Sequence, residues 1–239
     1  MNAGTFVQDR ASFLTWLATW HANLRTVPFA AAVGDVGRAA VLSVDLIVGF
    51  AYEGPLSSSR VAGIVPAAAR LFQQASTAGV QHLVLTQDCH SEDAPEFRSF
   101  GQHCPCNSDE AQTVPELLAL PFSDRFVVMR KNSISSSLGT SLDAWLNAHH
   151  RDVDTFVVIG DCTDLCTYQL AMHVRLRANA HSYRQRVIVP ADCVETYDLP
   201  VDVATTQGIL PHDGDLMHAV FLYHMALNGV EVYASLTAE

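Results

Sequence analysis

The chain has 239 residues, 49% of them hydrophobic, and a formal charge of −11. Such an excess of acid argues against a nucleic-acid or anionic-membrane surface, and no apolar run approaches the roughly 18 residues of a membrane span. A leaderless chain of this length reads as one soluble, cytoplasmic α/β domain, and its six cysteines, which follow no framework spacing, read as thiols rather than disulfides.

Residues 1–38 look like a helical extension to a domain formed by 39–239. Phe13, Trp16, Leu17, Trp20 and Leu24 share one face of a helix, which would pack on the body or on a second subunit; a homo-oligomer is one outcome. Residues 39–44 form a first buried strand that ends at Asp45, and Phe50 follows five residues later. A helix is expected over 57–78, with Val61, Ile64, Val65, Ala68, Leu71 and Phe72 as its stripe and Gly79 after its end. The second strand, from residue 82, runs into Asp88-Cys89-His90. The loop from there to about Pro105 carries Glu96 and His103, and a structured loop of that length tends to be functional.

A short helix is expected over 111–120, a third strand over 125–129 ending at Arg130-Lys131, and a helix over 140–149. The strand at 155–159 leads through Gly160 to Cys166 into a helix marked by Leu170, Val174 and Ala178. A strand at 186–190, a helix at 215–228 and a strand at 230–234 complete the chain. Strands alternating with helices at this spacing give a parallel sheet covered on both faces.

Asp45, Lys131 and Cys166 each lie just past a different strand, so a parallel sheet brings them to one edge, where open α/β sheets place ligands. Cys166 falls at a strand-to-helix turn, where backbone N–H groups and the helix dipole favour a thiolate; an inert buried cysteine is the ordinary alternative. Lys131 is the only lysine in the chain. Arginine-rich coding bias explains such depletion, yet a site that needs an amine with a movable pKa cannot use arginine. The trio offers a nucleophile, a carboxylate to take its proton and a cation to lower the thiol pKa. Asp88, His90 and His103 form an oxygen–nitrogen–nitrogen set suited to one divalent transition metal (Zn²⁺, Fe²⁺ or Mn²⁺), with Glu96 as a candidate fourth ligand. Cys104 and Cys106 have no matching second pair and read as loop thiols.

These residues carry a resemblance. Asp45 with Phe50 (D-x₄-F), Asp88-x-His90, His103-Cys104, Lys131 and Gly160-x-Cys162-Thr163-Asp164-x-Cys166 are similar to the isochorismatase-like cysteine hydrolases, nicotinamidases above all, over about residues 39–235. The resemblance implies a three-layer α/β/α fold with a six-stranded, mainly parallel sheet. It implies a cysteine nucleophile that attacks an amide carbonyl, expels ammonia and leaves a thioester for water to hydrolyse. It also implies a cis peptide before Cys162, with the backbone N–H groups of Cys162 and Cys166 forming an oxyanion hole. In metal-binding relatives the pyridine nitrogen of nicotinamide meets the metal held by the equivalents of Asp88, His90 and His103. Phe50, Phe100 and Leu138 would line the ring pocket, the last two standing where such enzymes often have Trp and Tyr or Phe. The alternative small-molecule substrates are carbamoyl or maleamate-type amides, whose acidic group Arg98 or Arg130 would meet. A non-catalytic binding protein is the remaining reading.

Overall fold

The computed structural model describes residues 3–238. Helix α1 (Ala3–Ala22) is followed by a short strand β1 (Thr26–Pro28) and a helical turn α2 (Phe29–Val33). Strand β2 (Ala39–Val44) is buried at every residue, as its unbroken apolar run requires of a strand covered on both faces. After the turn α3 (Val48–Ala51), helix α4 (Ser59–Ala78) starts where the Ser58 side chain accepts from the Arg60 amide and stops at Gly79 in the left-handed conformation.

Strand β3 (His82–Asp88) leads into the loop that carries the one-turn helix α5 (Phe97–Phe100). The helix expected over 111–120 is broken into a 3₁₀ turn at Asp109–Ala111 and a short α6 (Pro115–Leu118). Pro115 is the reason: it clashes with a helical conformation at the residue before it but fits the first turn of a new helix. Then come β4 (Val127–Lys131), α7 (Leu142–Ala148), β5 (Thr155–Asp161) and α8 (Cys166–Ala180). Strands β6 (Arg186–Pro190) and β7 (Val194–Glu195), helices α9 (Val201–Gln207) and α10 (Gly214–Leu227), and strands β8 (Glu231–Tyr233) and β9 (Ser235–Thr237) finish the chain.

The sheet runs β4-β3-β2-β5-β6-β8, all parallel, with β7 on β5 as a seventh strand beyond the six expected. The extra strand has a simple cause. Strand β6 pairs with β5 only over Thr155 to Val157, and β7 takes up Gly160 and Asp161 at its far end. Apolar side chains of alternating parity feed two layers, one beneath α4 and one beneath α8 and α10, so the fold is the three-layer α/β/α arrangement.

The segment before residue 39 holds more than a helix. Strand β1 pairs in parallel with β9, and Phe29, Ala32 and Val33 are buried in the layer beneath α4. Helix α1 lies along α10, where Phe13, Trp16 and Trp20 surround the Tyr223 ring. Of the expected apolar face, Leu17 is buried while Phe13 and Trp16 stay 42% and 48% exposed. Among the described residues no helix is long and apolar enough to cross a membrane.

Strand order reverses direction between β2 and β5, the position at which such sheets open a crevice. There the two strands approach so closely that a Cβ on Gly160 would fall 1.9 Å from the Val44 carbonyl oxygen, at a φ of +121°. Only glycine fits, and it holds the start of the turn that leads to Cys166 against the end of β2.

Candidate active site

Asp45, directly after β2, is fully buried and adopts a left-handed φ of 54°, a conformation aspartate tolerates better than most residues. This kink turns its side chain across the end of β3. Oδ1 accepts the Asp88 amide at 2.8 Å, and Oδ2 lies 2.7 Å from Lys131 Nζ. Lys131 arrives from β4, two strands away. The pleat turns Met129 and Lys131 inward and Arg130 outward, and Nζ reaches Asp88 Oδ1 at 2.5 Å, the Ser133 carbonyl at 3.2 Å and Cys166 Sγ at 3.6 Å. The thiol and the Asp45 and Asp88 carboxylates offer atoms all within 4.8 Å of one another. Asp45, Asp88 and Cys166, all predicted from the sequence, thus meet around the Lys131 ammonium.

Burial pushes the Asp45 carboxyl up to about 7, helped by Asp88 and opposed by Lys131. Burial also raises Asp88, but Lys131 and His90 outweigh it and its pKa falls below the ordinary value. Lys131 keeps its proton far above the usual lysine range: burial disfavours the cation, and Asp45, Asp88 and Cys166 more than offset that. The sequence argument for a lowered thiol pKa is reversed in this resting site. Burial raises Cys166 well above its ordinary value, the two carboxylates add to the rise, and Lys131 offsets only part of it.

The turn from β5 to α8 contains a cis peptide between Asp161 and Cys162. Thr163 N donates to the Glu195 carbonyl, and Leu165 N and Thr167 N both donate to the Cys162 carbonyl. The amides of Cys162 and Cys166 have no acceptor among the described residues. Outside the turn, Thr163 Oγ1 lies 2.9 Å from His218 Nδ1, and Asp164 is held by Thr196 Oγ1 at 2.6 Å and His212 Nε2 at 2.8 Å. His212 and His218 escape sequence reading, since nothing local ties them to a turn some 50 residues upstream. Asp161 also escapes it: it is 1% exposed, its Oδ1 has no partner, and burial raises its pKa well above the carboxylate range.

Asp88, His90 and His103 place one donor atom each within 4.8 Å of the others. His90 Nδ1 lies 3.1 Å from Asn132 Oδ1, and His103 Nδ1 lies 2.8 Å from the Gly101 carbonyl. Those contacts leave both Nε2 atoms facing Asp88 Oδ2, at 3.3 and 3.9 Å, and His90 Nε2 is buried without a hydrogen bond. An orphaned imidazole nitrogen beside a carboxylate oxygen and a second imidazole fits a divalent transition metal. Glu96 is not in that cluster. It stands at the start of α5 and holds no position in the donor set.

Phe50 is buried with its ring 5.8 Å from that of His103, and Phe100 stands 6.4 Å from it. Phe97, which the sequence reading passed over, is closer to both histidines, at 5.4 and 5.5 Å. Leu138 is a correction: at 73% exposure its side chain projects to solvent rather than forming a buried wall of a ring pocket. Arg130 donates to the Ala111 carbonyl and Arg98 is exposed.

The reading of all six cysteines as thiols also fails. Cys89 and Cys106 form a disulfide, while Cys104, Cys162, Cys166 and Cys193 are free. A bridge between His90 and Pro105, with His90 N donating to the Cys104 carbonyl and Cys106 N to the His90 carbonyl, brings the two segments side by side. Sequence spacing carries no trace of that pairing.

Comparison with known proteins gives a match to the Isochorismatase domain over residues 39–209. Nicotinamidase 1 of Arabidopsis thaliana is 30% identical over 161 residues, covering 64% of this chain and 65% of that protein, a little under two thirds of its length. A cysteine hydrolase from Pseudomonas syringae pv. phaseolicola superposes with a TM-score of 0.67 at 24% identity, over 84% of this chain and 90% of that one. The pyrazinamidase of Pyrococcus horikoshii, solved in complex with zinc, gives 0.63 at 20% identity, over 82% and 98%.

Proposed function

Because the chain belongs to the isochorismatase family, we propose that it is a cysteine amidohydrolase of nicotinamidase type, turning a small amide, nicotinamide first, into the acid and ammonia. The observation that carries this reading is the meeting of Cys166 and Asp45 around the buried Lys131 ammonium, beside the Asp88, His90 and His103 donors.

The raised thiol pKa supports one order of events. Cys166 is not a standing thiolate, so Asp45 takes its proton as Sγ attacks the carbonyl carbon, and a base with a pKa of about 7 suits that task at neutral pH. Lys131 stays protonated and offsets the charge that the site gains. The carbonyl oxygen, now an anion, is met by the uncommitted amides of Cys162 and Cys166, where one such donor is worth about 3–4 kcal/mol of barrier. Asp45 then passes its proton to the leaving nitrogen, ammonia departs, and water hydrolyses the thioester with Asp45 again as base. Asp88, His90 and His103 would hold a divalent metal, which when bound supplies a Lewis-acid position for a ring nitrogen. The acidic-amide alternative has less support, since Arg130 is spent on the Ala111 carbonyl.

The test is ammonia release from nicotinamide by the purified protein, with Cys166→Ala and a chelator-treated sample alongside. The reading expects turnover in the wild type, a loss of about 10⁴-fold or more in Cys166→Ala with an unchanged circular dichroism spectrum, and a loss with chelator. Turnover retained in Cys166→Ala sinks the cysteine mechanism.

A further inference from the structure

The loop that carries both histidines is closed by a covalent bond that the proposed reaction does not use. Cys89 stands between Asp88 and His90, and Cys106 lies three residues past His103, so their disulfide encloses residues 90–105 in a ring. Asp88 sits just outside that ring, at the end of β3, where the sheet fixes it. Inside the ring the two arms meet at one bridge, His90 with Pro105. Between them lie the single turn of α5 and a run of mostly exposed residues, with Ala94, His103 and Cys104 buried.

The two histidines are anchored unequally. His90 is tied to Asn132, which lies outside the ring just past β4. His103 is tied through Nδ1 to Gly101, a member of the same loop, and the next amide, that of Cys104, reaches Glu110 at 2.8 Å. Opening the ring therefore leaves His90 aimed and gives His103 more conformations to sample, since a closed loop has fewer accessible states than an open one.

We propose that the Cys89–Cys106 disulfide is a positioning element for His103, so that the metal affinity of the Asp88, His90 and His103 set depends on the redox state of this pair. The proposal rests on the metal reading above. A reductant supplies two electrons, and with two protons the S–S bond becomes two thiols; a trialkylphosphine serves in this way and is itself oxidised to the phosphine oxide, with water supplying the oxygen.

The experiment compares three proteins for Zn²⁺ affinity by competition with a chromophoric chelator: oxidised wild type, phosphine-reduced wild type desalted under inert gas, and the Cys89→Ser/Cys106→Ser double variant. The double variant removes any zinc binding by the freed thiols themselves. The proposal expects Zn²⁺ to bind about 10–100-fold more weakly to the double variant, the range seen when groups that orient metal ligands are removed. It also expects metal-free thermal unfolding to stay cooperative, with circular dichroism unchanged, and reoxidation to restore affinity in the wild type alone. Affinity in the double variant within about twofold of the oxidised wild type overturns the positioning role and leaves the metal reading standing. Failure of the oxidised wild type to bind Zn²⁺ overturns both.

Discussion

Asp45, Lys131 and Cys166 stand at the ends of β2, β4 and the β5–α8 turn, whereas His90 and His103 stand on a loop held by one bridge, one disulfide and a few side-chain contacts. In the first half of the site, position follows from sheet register. Val44 opposes Gly160 and Asp88 opposes Lys131, so the charged groups are brought together by the same hydrogen bonds that build the sheet. In the second half, position follows from a few local contacts and one covalent link. The cost of the first design is electrostatic, since one buried ammonium must satisfy two carboxylates and a thiol. The cost of the second is conformational. The comparison teaches that the two halves should fail differently: the strand-end half through charge imbalance and loss of stability, the loop half through loss of metal affinity with the fold intact.

The largest expected effect tests the electrostatic side. Lys131→Met leaves Asp45 and Asp88 buried without their cation, which should lower stability by about 3–5 kcal/mol, read by urea unfolding. A loss below about 1 kcal/mol would mean that solvent or a rearranged donor already satisfies the carboxylates.

A somewhat smaller effect concerns the turn that supports Cys166. His218, packed on Thr163, is pushed down from 6.5 to about 4 by burial, and His21 and Arg60 add to the fall. His21 faces it from α1 and Arg60 from α4, while Glu195 lies 3.6 Å away on β7 and Asp164 and Asp215 act in the opposite sense. Below pH 6.5 the unfolded chain takes up a proton that the folded chain refuses, so stability falls as pH drops from about 6.5 to about 4. Above 6.5 the group contributes no slope. At 1.36 kcal/mol per pH unit the gap is worth roughly 3 kcal/mol. His218→Gln should flatten the wild-type curve of melting temperature against pH in that window; an unchanged slope would show that His218 is solvated.

Asp161→Leu removes a buried carboxyl whose Oδ1 has no partner, and should raise stability by about 1–3 kcal/mol. A loss instead would reveal a compensating hydrogen bond. At the small end, Leu138→Ala should leave kcat/KM for nicotinamide within about twofold of wild type, because an exposed side chain outside the site has no transition-state contact to lose. Phe50→Ala, which opens a buried wall beside His103, should cost tenfold or more on the usual scale for losing a substrate-positioning contact; equal values for the two variants would contradict this placement of the pocket.

The sequence by itself determined the layers and the strand-end residues. Unbroken apolar runs mark strands buried on both faces, a chain that alternates them with amphipathic helices folds into a parallel sheet, and residues just past such strands share an edge. Lys131 stood out through composition, and the Gly160 to Cys166 stretch through its motif; both are local signals. The pairing of Cys89 with Cys106, of β1 with β9, and of His218 with Thr163 left no such mark, because each joins segments whose approach is set by the packing of everything between them. Leu138 and Glu96 were misplaced for the same reason: spacing says how far along the chain a side chain lies and nothing about which way its loop turns. The thiol pKa was decided in three dimensions as well. A helix start and a nearby cation favour the thiolate, but burial and two carboxylates outweigh them once the strands are brought together.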